Sequence, residues 1–476
     1  MNVLTVVQNF LVGGLETRIQ GEFRWAMENG HDTYLATSGS FVSSNLPCAS
    51  LGISTGLDIA DCSTVSGVLN AVDSLVNIVN KYQIDVIHAH PFASLLPAML
   101  ASQLTGTPFV VSLHGPASLS PVQRIGQWRM QLALGFTYAS MIACVSPEVK
   151  DLVDRLVFHG RIEVYPNGVS FPNVFVSPSS DYFRHWAFVG RLDRDKKEGA
   201  IQFLNISSRL KAETLDIIGD GDCRRDLEQY VEANICRLPR IRFLGAKQNV
   251  VAEMARYDAV AGMGRVVLEA LSISKPTILA GYDGVKGWVD DDLFDKAAYC
   301  NFSGRGLANC SESDLVGKSL PMLKERTEKI REFLVDRYNE DSLWKRFFLN
   351  IENLPFSKCP VADEILDLLN RHRSVSGPLC ENVNLIEEID LLIQRKEREC
   401  KIKIFEDSSL VDCGRILEMG RGWRIGEKGE LQQWYESQLS WRDDEISRIK
   451  TSLSWRITRP LRLVGTIIDR FNRASS

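Results

Sequence analysis

Short apolar runs rich in β-branched residues alternate with longer stretches of helical periodicity through the first third of the chain. The runs are VLTVV at 3–7, DVIHA at 85–89, PFVVSLHG at 108–115 and MIACVS at 141–146. Short apolar runs that alternate with helical patterns are typical of βαβ units. The pattern therefore predicts a first parallel sheet with helices packed on it.

The same rhythm restarts after YPNGVSFPNVFVSPSSDYF, residues 165–183, whose prolines, serines and asparagines indicate a linker. The second series contains WAFVGRL, TLDIIGDGD, IRFLG, YDAVAG and KPTILAG. We therefore predict an α/β protein with two doubly wound, Rossmann-like domains that face each other across a cleft. The predicted boundaries are 1–170 for the first domain, 171–183 for the linker and 184–354 for the second domain with its closing helix.

Residues 355–476 form a predicted helical tail, which contains charge runs such as RKERECKIK. The end of the tail is basic and amphipathic, with apolar residues at helical spacing and arginines opposed only by Asp469. These residues are Leu461, Val464, Ile467, Ile468 and Phe471 on the apolar side, and Arg456, Arg459, Arg462, Arg470 and Arg473 on the basic side. A basic amphipathic helix suits an anionic membrane surface; a helix packed on its own protein or in a dimer is the alternative.

Composition limits the class of protein. A length of 476 residues suggests two or three domains at ~150 residues each. Hydrophobic residues at 45% and charged residues at 24% indicate a globular protein, and a net charge of −5 gives no basis for nucleic-acid binding. The eleven cysteines include no C-x-x-C pair, which fits reduced thiols in the cytoplasm. The sequence shows neither a signal-peptide pattern nor an apolar run of transmembrane length.

The segment FVGRLDRDKKEGA places Arg191 just after a predicted strand, with Lys196 and Lys197 entering the next helix. Ligands of open α/β sheets bind at the carboxyl ends of the strands, and cations fixed there suit a diphosphate. A solvated charged turn with partial ion pairs to Asp193 and Asp195 is the alternative interpretation.

The segment AGMGRVVLEA places Gly262 and Gly264 before a short predicted helix that carries Glu269. Glycines allow a ligand to approach the backbone, and the free amides at a helix N-terminus bind anions. Glu269 is a candidate to accept hydrogen bonds from ribose hydroxyls, as acids do in other nucleotide-binding folds. A structural hydrogen bond to a neighbouring helix is its alternative role.

In the first domain, Gly13 and Gly14 follow the first predicted strand, where bare backbone can approach a ligand. His114 ends the run PFVVSLHG at the same edge and is a candidate donor to a sugar hydroxyl or to the reacting centre. A structural role is the alternative, because a lone histidine is more often structural. His88 and His90 in IHAHP have the same two possible roles.

The segment DIIGDGDC contains an Asp220-Gly221-Asp222 sequence, which has the form of a D-x-D metal-binding motif. We favour a structural interpretation. Gly219 and Gly221 predict a tight strand-to-helix turn, and Asp222 is placed to cap the helix that begins near Arg224. No metal ion is expected at this turn.

Residues 1 to about 350 resemble the family-4 retaining glycosyltransferases of the GT-B fold. The matching motifs, in chain order, are GGLE, IHAH, LHG, ACVSPEV, VYPNGV, VGRLDRDKK, IIGDGDCRRDLE, RFLG and LEALSISKPTILA. Their order and spacing over two domains make the resemblance specific. It implies that the second domain binds a nucleotide-sugar donor, that the first binds the acceptor, and that the sugar is transferred in the cleft.

The resemblance also implies roles for the cations. Arg191 and one of Lys196 and Lys197 would stabilise the departing diphosphate in place of a metal ion. The choice between the lysines stays open, because Glu198 interrupts the family's lysine-glycine pair.

Three further roles follow from the resemblance. Glu269 would hold the donor ribose, and His114 would contact the donor sugar near the reacting carbon. Gly13 and Gly14 would line the phosphate side.

The chain departs from the family where members often carry two glutamates separated by seven residues. The position eight before Glu269 is Ala261, and the usual proline- and serine-containing loop is missing. The short loop resembles a G-x-G-R subgroup that lacks the first glutamate. Arg265 is then a candidate to add charge near the diphosphate.

These inferences predict a metal-independent retaining glycosyltransferase that needs no cofactor and acts on a carbohydrate or lipid-linked acceptor. The segment SWRITRPLR resembles a tail piece of bacterial polysaccharide glycosyltransferases, which suggests surface-polysaccharide assembly in the cytoplasm, peripheral to the inner membrane surface. One alternative is a non-catalytic GT-B-like scaffold, suggested by Ala261 and the long tail. The other is a sugar-nucleotide epimerase, which would turn over the donor without an acceptor.

Overall fold

The computed structural model describes residues 1–10, 13–38, 52–60, 63–91, 93–119, 135–156, 161–172, 183–247, 249–316, 318, 320–379 and 382–400. The strands of these residues form two sheets, one of seven strands and one of six. Helices connect the strands within each sheet. This arrangement confirms the predicted α/β class with two Rossmann-like sheets.

The first sheet lies in the N-terminal part of the chain. Its strands are β1 (Asn2–Val7), β2 (Asp32–Thr37), β3 (Gly52–Ser54), β4 (Val86–Ala89), β5 (Phe109–Leu113), β6 (Met141–Cys144) and β7 (Ile162–Val164). The helices of this part are α1 (Gly14–Glu28), α2 (Val65–Tyr82), α3 (Leu95–Thr105) and α4 (Pro147–Leu156). The strands are all parallel, in the order β3-β2-β1-β4-β5-β6-β7, so the sheet is doubly wound and its order reverses between β1 and β4.

Helix α2 shows how the local sequence sets these elements. Thr64 caps it by accepting a hydrogen bond from the Gly67 backbone N at 3.0 Å, and Gln83 ends it in the left-handed conformation with φ of 49°. The face that packs on the sheet carries the apolar residues Val65, Val68, Leu69, Ala71, Val72, Leu75 and Val79. Helical periodicity in the sequence therefore becomes one buried stripe.

The second sheet follows from residue 185. Its strands are β8 (His185–Val189), β9 (Thr214–Ile218), β10 (Arg240–Gly245), β11 (Ala259–Gly262), β12 (Thr277–Gly281) and β13 (Gly284–Trp288). Its helices are α5 (Lys197–Ser207), α6 (Arg224–Ala233), α7 (Val250–Met254), α8 (Arg265–Ser272), α9 (Asp291–Tyr299) and α10 (Glu312–Val316). The strand order is β10-β9-β8-β11-β12-β13, with β13 antiparallel to β12, so the order reverses between β8 and β11.

Two helices then return the chain to the first sheet: α11 (Leu320–Tyr338) and α12 (Glu340–Ile351). The apolar residues of α12 lie in one buried cluster with residues of the first sheet. The cluster contains Trp344, Phe347, Phe348 and Ile351 of α12, and Val3, Val86, Val110, Met141 and Tyr165. The chain crosses between the sheets twice, side by side, at Val169 and Asn339. There the Val169 backbone N donates to Tyr338 O at 2.8 Å, and the Glu340 N donates to Val169 O at 3.2 Å.

The described part of the predicted tail contains two helices, α13 (Ala362–Arg371) and α14 (Val383–Cys400). Their apolar residues join the core cluster of α2 and α3; they are Ile365, Leu368, Leu369, Leu385, Ile389, Leu392 and Ile393. These helices therefore extend the helical layer of the first sheet. The basic amphipathic end of the tail lies outside the described residues. No helix of the described part is both long enough and apolar enough to cross a membrane.

The turn after β9 is as tight as its glycines predict. Gly219 has φ of 145°, and a Cβ on Gly219 or Gly221 would collide with the backbone of the loop that follows β8. The predicted cap by Asp222 is wrong, because the N-cap residue of α6 is Cys223 and makes no side-chain cap bond. Asp222 Oδ1 instead accepts from the Arg194 backbone N at 3.0 Å, since the close approach of the two loops brings that donor to it.

The return of α12 to the first sheet predicts a large effect of truncating Phe347, which is 0% exposed. We expect Phe347→Ala to lower the free energy of unfolding by about 3–5 kcal/mol, through lost burial and a residual cavity. Urea denaturation followed by circular dichroism measures the change. Leu349→Ala, on the same helix but 61% exposed, is the matched control; we expect it to change stability by less than ~0.5 kcal/mol. Equal effects of the two substitutions would contradict this packing.

Candidate functional site

The predicted site residues lie at the carboxyl ends of the strands next to the two points where strand order reverses. In the first sheet, Gly13 and Gly14 follow β1, and His90 follows β4. In the second sheet, Arg191 follows β8, and Gly264 follows β11. Open α/β sheets bind ligands in the crevice that forms at such a reversal.

Arg191 and Lys196 share one carboxylate. Arg191 Nη2 lies 3.3 Å from Asp193 Oδ2, and Lys196 Nζ lies 2.7 Å from the same oxygen. The Arg191 side chain is 67% exposed, whereas that of Lys196 is 15% exposed. Lys197 points elsewhere, with its Nζ 2.7 Å from Asp226 Oδ2 of α6. The structure therefore brings Arg191 together with Lys196 and separates Lys197 from them.

Helix α8 begins directly after the short loop that follows β11. Gly264 is its N-cap with φ of 64°, a conformation that favours glycine, and a Cβ at Gly264 would meet open space. Arg265 is the first residue of the helix, and its Nε donates to Oε1 of Glu269, one turn further along, at 2.6 Å. Both side chains are mostly buried. Arg265 Nη2 also lies 3.8 Å from Glu340 Oε1 at the start of α12. Backbone amides, a guanidinium and a carboxylate thus meet at one helix end.

Ala261 is not the spatial replacement for a lost glutamate. It lies within β11, is 0% exposed and packs in the core of the second sheet. Only Met263 and Gly264 separate β11 from α8. Gly262 ends the strand in close contact with Val189, so a Cβ there would lie 2.6 Å from Val189 O. The position eight residues before Glu269 therefore lies inside the sheet.

His114 lies in a partly buried pair of imidazoles with His90. Its Nε2 lies 2.8 Å from His90 Nδ1, with ring centroids 5.0 Å apart. The His114 backbone N donates to Ser118 Oγ at 3.1 Å, which fixes the residue after β5. Burial lowers the pKa of His114 to about 3, with further contributions from the charges of Arg18 and His88. The side chain is therefore neutral at neutral pH.

His88 makes two contacts that had not been predicted, one with Glu22 and one with Ser112. His88 Nδ1 lies 2.9 Å from Glu22 Oε1 of α1, and His88 Nε2 lies 2.8 Å from Ser112 Oγ of β5. The sequence did carry a signal, because Arg18 and Glu22 fall four residues apart on the buried face of α1. Charged residues on the buried face of a helix indicate polar partners in the core.

An ion pair that had also not been predicted joins the first half of the protein to the second. Arg305 Nη2 donates to Glu148 Oε2 at 2.7 Å and Arg305 Nε to Oε1 at 3.2 Å, so a residue after α9 binds the start of α4. The Arg305 guanidinium lies 5.7 Å from the ring centroid of Tyr282. Burial raises the pKa of Tyr282, and the charges of Arg305 and Arg191 act against that shift. The site thus has a side wall made from both halves of the protein.

The fold and two family models identify a glycosyltransferase of the GT-B fold. The chain belongs to the glycosyltransferases by two family models: Glycosyltransferase Family 4 matches residues 12–171, and Glycosyl transferases group 1 matches residues 184–300. Together the two matches cover more than half of the chain, one for each sheet. A search of curated proteins finds no match.

Solved structures share the fold at low sequence identity. HepE from Anabaena, in complex with UDP and glucose, is 17% identical, with 74% of this chain and 99% of that chain covered and a TM-score of 0.55. Sucrose-phosphate synthase from Thermosynechococcus elongatus is 14% identical, with coverage of 74% and 98% and a TM-score of 0.56. A glycosyltransferase from Rickettsia africae is 16% identical, with coverage of 74% and 97% and a TM-score of 0.54. These likenesses confirm the predicted GT-B fold.

The lowered pKa of His114 predicts a pH dependence of stability. The unfolded chain binds a proton at His114 near pH 6.5, whereas the folded protein does so only near pH 3. The unfolded state therefore holds more protons between these values, and the free energy of unfolding falls as pH falls. We expect His114→Gln to reduce this slope between about pH 7 and pH 4.5, measured as urea midpoints at each pH.

His185→Gln is the control for this experiment, because His185 lies exposed at the first position of β8. Part of the slope will remain in His114→Gln, since burial also lowers the pKa of His90 well below its ordinary value. A slope unchanged by His114→Gln would show that folding does not change the pKa of His114.

Proposed function

We propose that this glycosyltransferase transfers a sugar from a nucleotide-sugar donor to a carbohydrate or lipid-linked acceptor with retention of configuration, without a metal ion at the diphosphate. One observation carries the proposal. Residues able to bind phosphate, ribose and sugar lie at the carboxyl ends of the strands that flank or adjoin both reversals of strand order. A donor that spans the two sheets would contact both sets.

The diphosphate is assigned to the cations after β8 and to the start of α8. Arg191 and Lys196 converge on Asp193, so two positive charges are already held close together. Two cations that contact one carboxylate oxygen are also placed to bind neighbouring oxygens of a diphosphate. Lys196 is therefore the better candidate than Lys197, which pairs with Asp226. The amide groups after Gly264 would add the partial positive charge of a helix N-terminus.

The ribose is assigned to Glu269. Arg265 donates to one of its carboxylate oxygens at 2.6 Å, which orients the carboxylate. A charged acceptor makes stronger hydrogen bonds to hydroxyl groups than a neutral one. Arg265 would then serve by holding Glu269 as well as by adding charge near the diphosphate.

The proposed transfer takes place on one face of the sugar, with the donor phosphate accepting the proton of the attacking hydroxyl. Arg191 and Lys196 would stabilise the negative charge that develops on the leaving diphosphate. His114, neutral at neutral pH because its pKa is about 3, would hydrogen-bond a sugar hydroxyl and would not act as a proton-donating acid. The protein's contribution is mainly positioning and fixed charge, and no cofactor takes part.

Retention and donor use are tested together. We expect purified protein to be stabilised by a UDP-, GDP- or ADP-sugar by about 2.7 kcal/mol at a concentration ~100 times its dissociation constant. UDP-sugars come first, because the HepE structure of the same fold holds UDP and glucose. The stabilising donor, supplied with acceptors, should yield a product with the donor's anomeric configuration by NMR. Donor turnover without acceptor would identify an epimerase, and binding without turnover would favour the scaffold.

Glu269→Gln tests the ribose assignment. The loss of a charged acceptor should weaken donor binding by about 1.5–3 kcal/mol, or roughly 10- to 150-fold in the dissociation constant measured by calorimetry. Glu228→Gln is the matched control, because Glu228 pairs with Arg224 on α6 in the same i,i+4 arrangement at 2.8 Å. Equal donor affinities of the two variants would refute the assignment.

We further propose that the protein acts in bacterial surface-polysaccharide assembly at the cytoplasmic face of the membrane. The support is the sequence SWRITRPLR and the basic amphipathic pattern at 452–476, which lies outside the described residues. Full-length protein should co-float with vesicles containing anionic lipid and less with neutral vesicles. Replacing Arg456, Arg459 and Arg462 with Gln should reduce flotation. Equal flotation on both vesicle types would argue for a helix packed on protein.

A further inference from the structure

Three side chains buried in the first domain, Glu22, His88 and His90, are not used by the proposed transfer. All three are 0% exposed. One ligand atom of each lies within 4.8 Å of the other two. Within this cluster, the atoms Glu22 Oε2 and His90 Nε2 have no hydrogen-bond partner among the described residues. Buried polar atoms are almost always satisfied, so these two atoms indicate a ligand that the described side chains do not supply.

Local structure explains why the three side chains meet. His88 and His90 are two residues apart along β4 and its end, so their side chains project from the same face of the sheet. The ring centroids lie 4.4 Å apart. Glu22 reaches the same place from α1, with its Oε1 at 2.9 Å from His88 Nδ1. Two imidazoles and one carboxylate are a ligand set that Zn²⁺ uses in proteins.

The outer nitrogen of each imidazole has a partner. His88 Nε2 lies 2.8 Å from Ser112 Oγ, and His90 Nδ1 lies 2.8 Å from His114 Nε2. Metal-bound histidines nearly always donate their second ring N–H to an acceptor, which fixes the tautomer and the ring orientation. Here both second nitrogens are engaged. His88 Nδ1 and His90 Nε2 are then the atoms directed to an ion.

The charges around the cluster permit a cation. Arg18 lies one turn before Glu22 and opposes positive charge there, but the carboxylates of Glu22 and Glu340 both act on it. Arg265, the other guanidinium that acts on Arg18, is paired with Glu269 at 2.6 Å. Glu340 also lies 3.6 Å from Arg24 Nη1, so three carboxylates and three guanidinium groups balance one another around the cluster. The carboxylate that would offset the charge of an ion is Glu22 itself, whose Oε1 lies 2.9 Å from His88 Nδ1.

We propose that Glu22, His88 and His90 bind one divalent transition-metal ion, with Zn²⁺ as the expected occupant. Zn²⁺ prefers nitrogen and oxygen ligands at ~2.0–2.2 Å, so a small inward rotation of the side chains would close the site around it. The ion replaces the proton shared by Glu22 and His88, and a water completes its coordination. Its role is structural: it joins α1 to β4 and holds His90 against His114. The donor diphosphate remains with Arg191 and Lys196.

Metal content of the full-length, tag-free protein tests the proposal. Inductively coupled plasma mass spectrometry after dialysis should find about one equivalent of zinc per chain. After chelation, titration with Co²⁺ should restore one equivalent and produce the visible absorption of a tetrahedral site. Because Cys144, Cys223 and Cys359 are free thiols, absence of a sulfur-to-cobalt charge-transfer band is part of the expected result.

Glu22→Gln and His90→Asn should each weaken Co²⁺ binding by more than ~10-fold, and Ser112→Ala, which removes an outer acceptor, by about 10-fold. His185→Gln and Glu253→Gln, outside the cluster, are the controls and should bind as the unsubstituted protein does. Where a variant does not fold, the Co²⁺ spectrum of the unsubstituted protein decides. Absence of stoichiometric metal, or a spectrum from an octahedral or thiolate site, would overturn the proposal and leave a hydrogen-bonded cluster.

Discussion

The packing of α12 on the first sheet is the constraint on which the rest of the structure depends. The helix is reached through the second sheet, but its apolar face is buried among strands at the other end of the chain. Glu340, its first residue, is 8% exposed and stands within 4 Å of charged groups from both halves, Arg24 at 3.6 Å and Arg265 at 3.8 Å. Gly168 leaves no room for a Cβ beside the Glu340 backbone. The crossing at Val169 and Asn339 thus helps to fix the first half of the described chain to the second.

The site that results is made of charges already paired before any ligand arrives. Asp193 is shared by Arg191 and Lys196, Glu269 pairs with Arg265, and Glu148 pairs with Arg305. A diphosphate bound at Arg191 and Lys196 would compete with Asp193 for the same cations. The acids near these cations therefore limit the cost of assembling like charges in an empty cleft, and they also lower the affinity that the cations alone would provide.

Much of the architecture could be predicted because it depends on local pattern. The runs VLTVV and KPTILAG are apolar over the length of a strand, and the motif order over two domains identified the GT-B fold. The roles given to Arg191, Glu269 and His114 remain predictions, since they depend on a bound donor. Their positions at strand ends followed from the pattern, whereas the separation of Lys196 from Lys197 did not. That separation depends on Asp193 and Asp226, which belong to different elements.

The contacts of Glu22 and Arg305 could not be predicted from spacing, because their partners lie 66 and 157 residues away. The place of Ala261 inside a strand could not be obtained by counting residues. A residue count assumes a loop of constant length, and the chain passes from β11 to α8 through two residues only. The buried face of α1 did hold a readable signal, since polar residues beside Ile19 and Phe23 require partners in the core.

The position of α14 determines which part of the protein a force applied at the end of the described chain would act on first. Its apolar face belongs to the core of α2 and α3, so the described chain ends on the first sheet's own helical layer. A force applied to the segment after residue 400 would therefore act first on the first sheet. It would reach the half that carries Arg191 and Glu269 through the crossing at Val169 and Asn339 and through contacts such as the ion pair of Glu148 with Arg305.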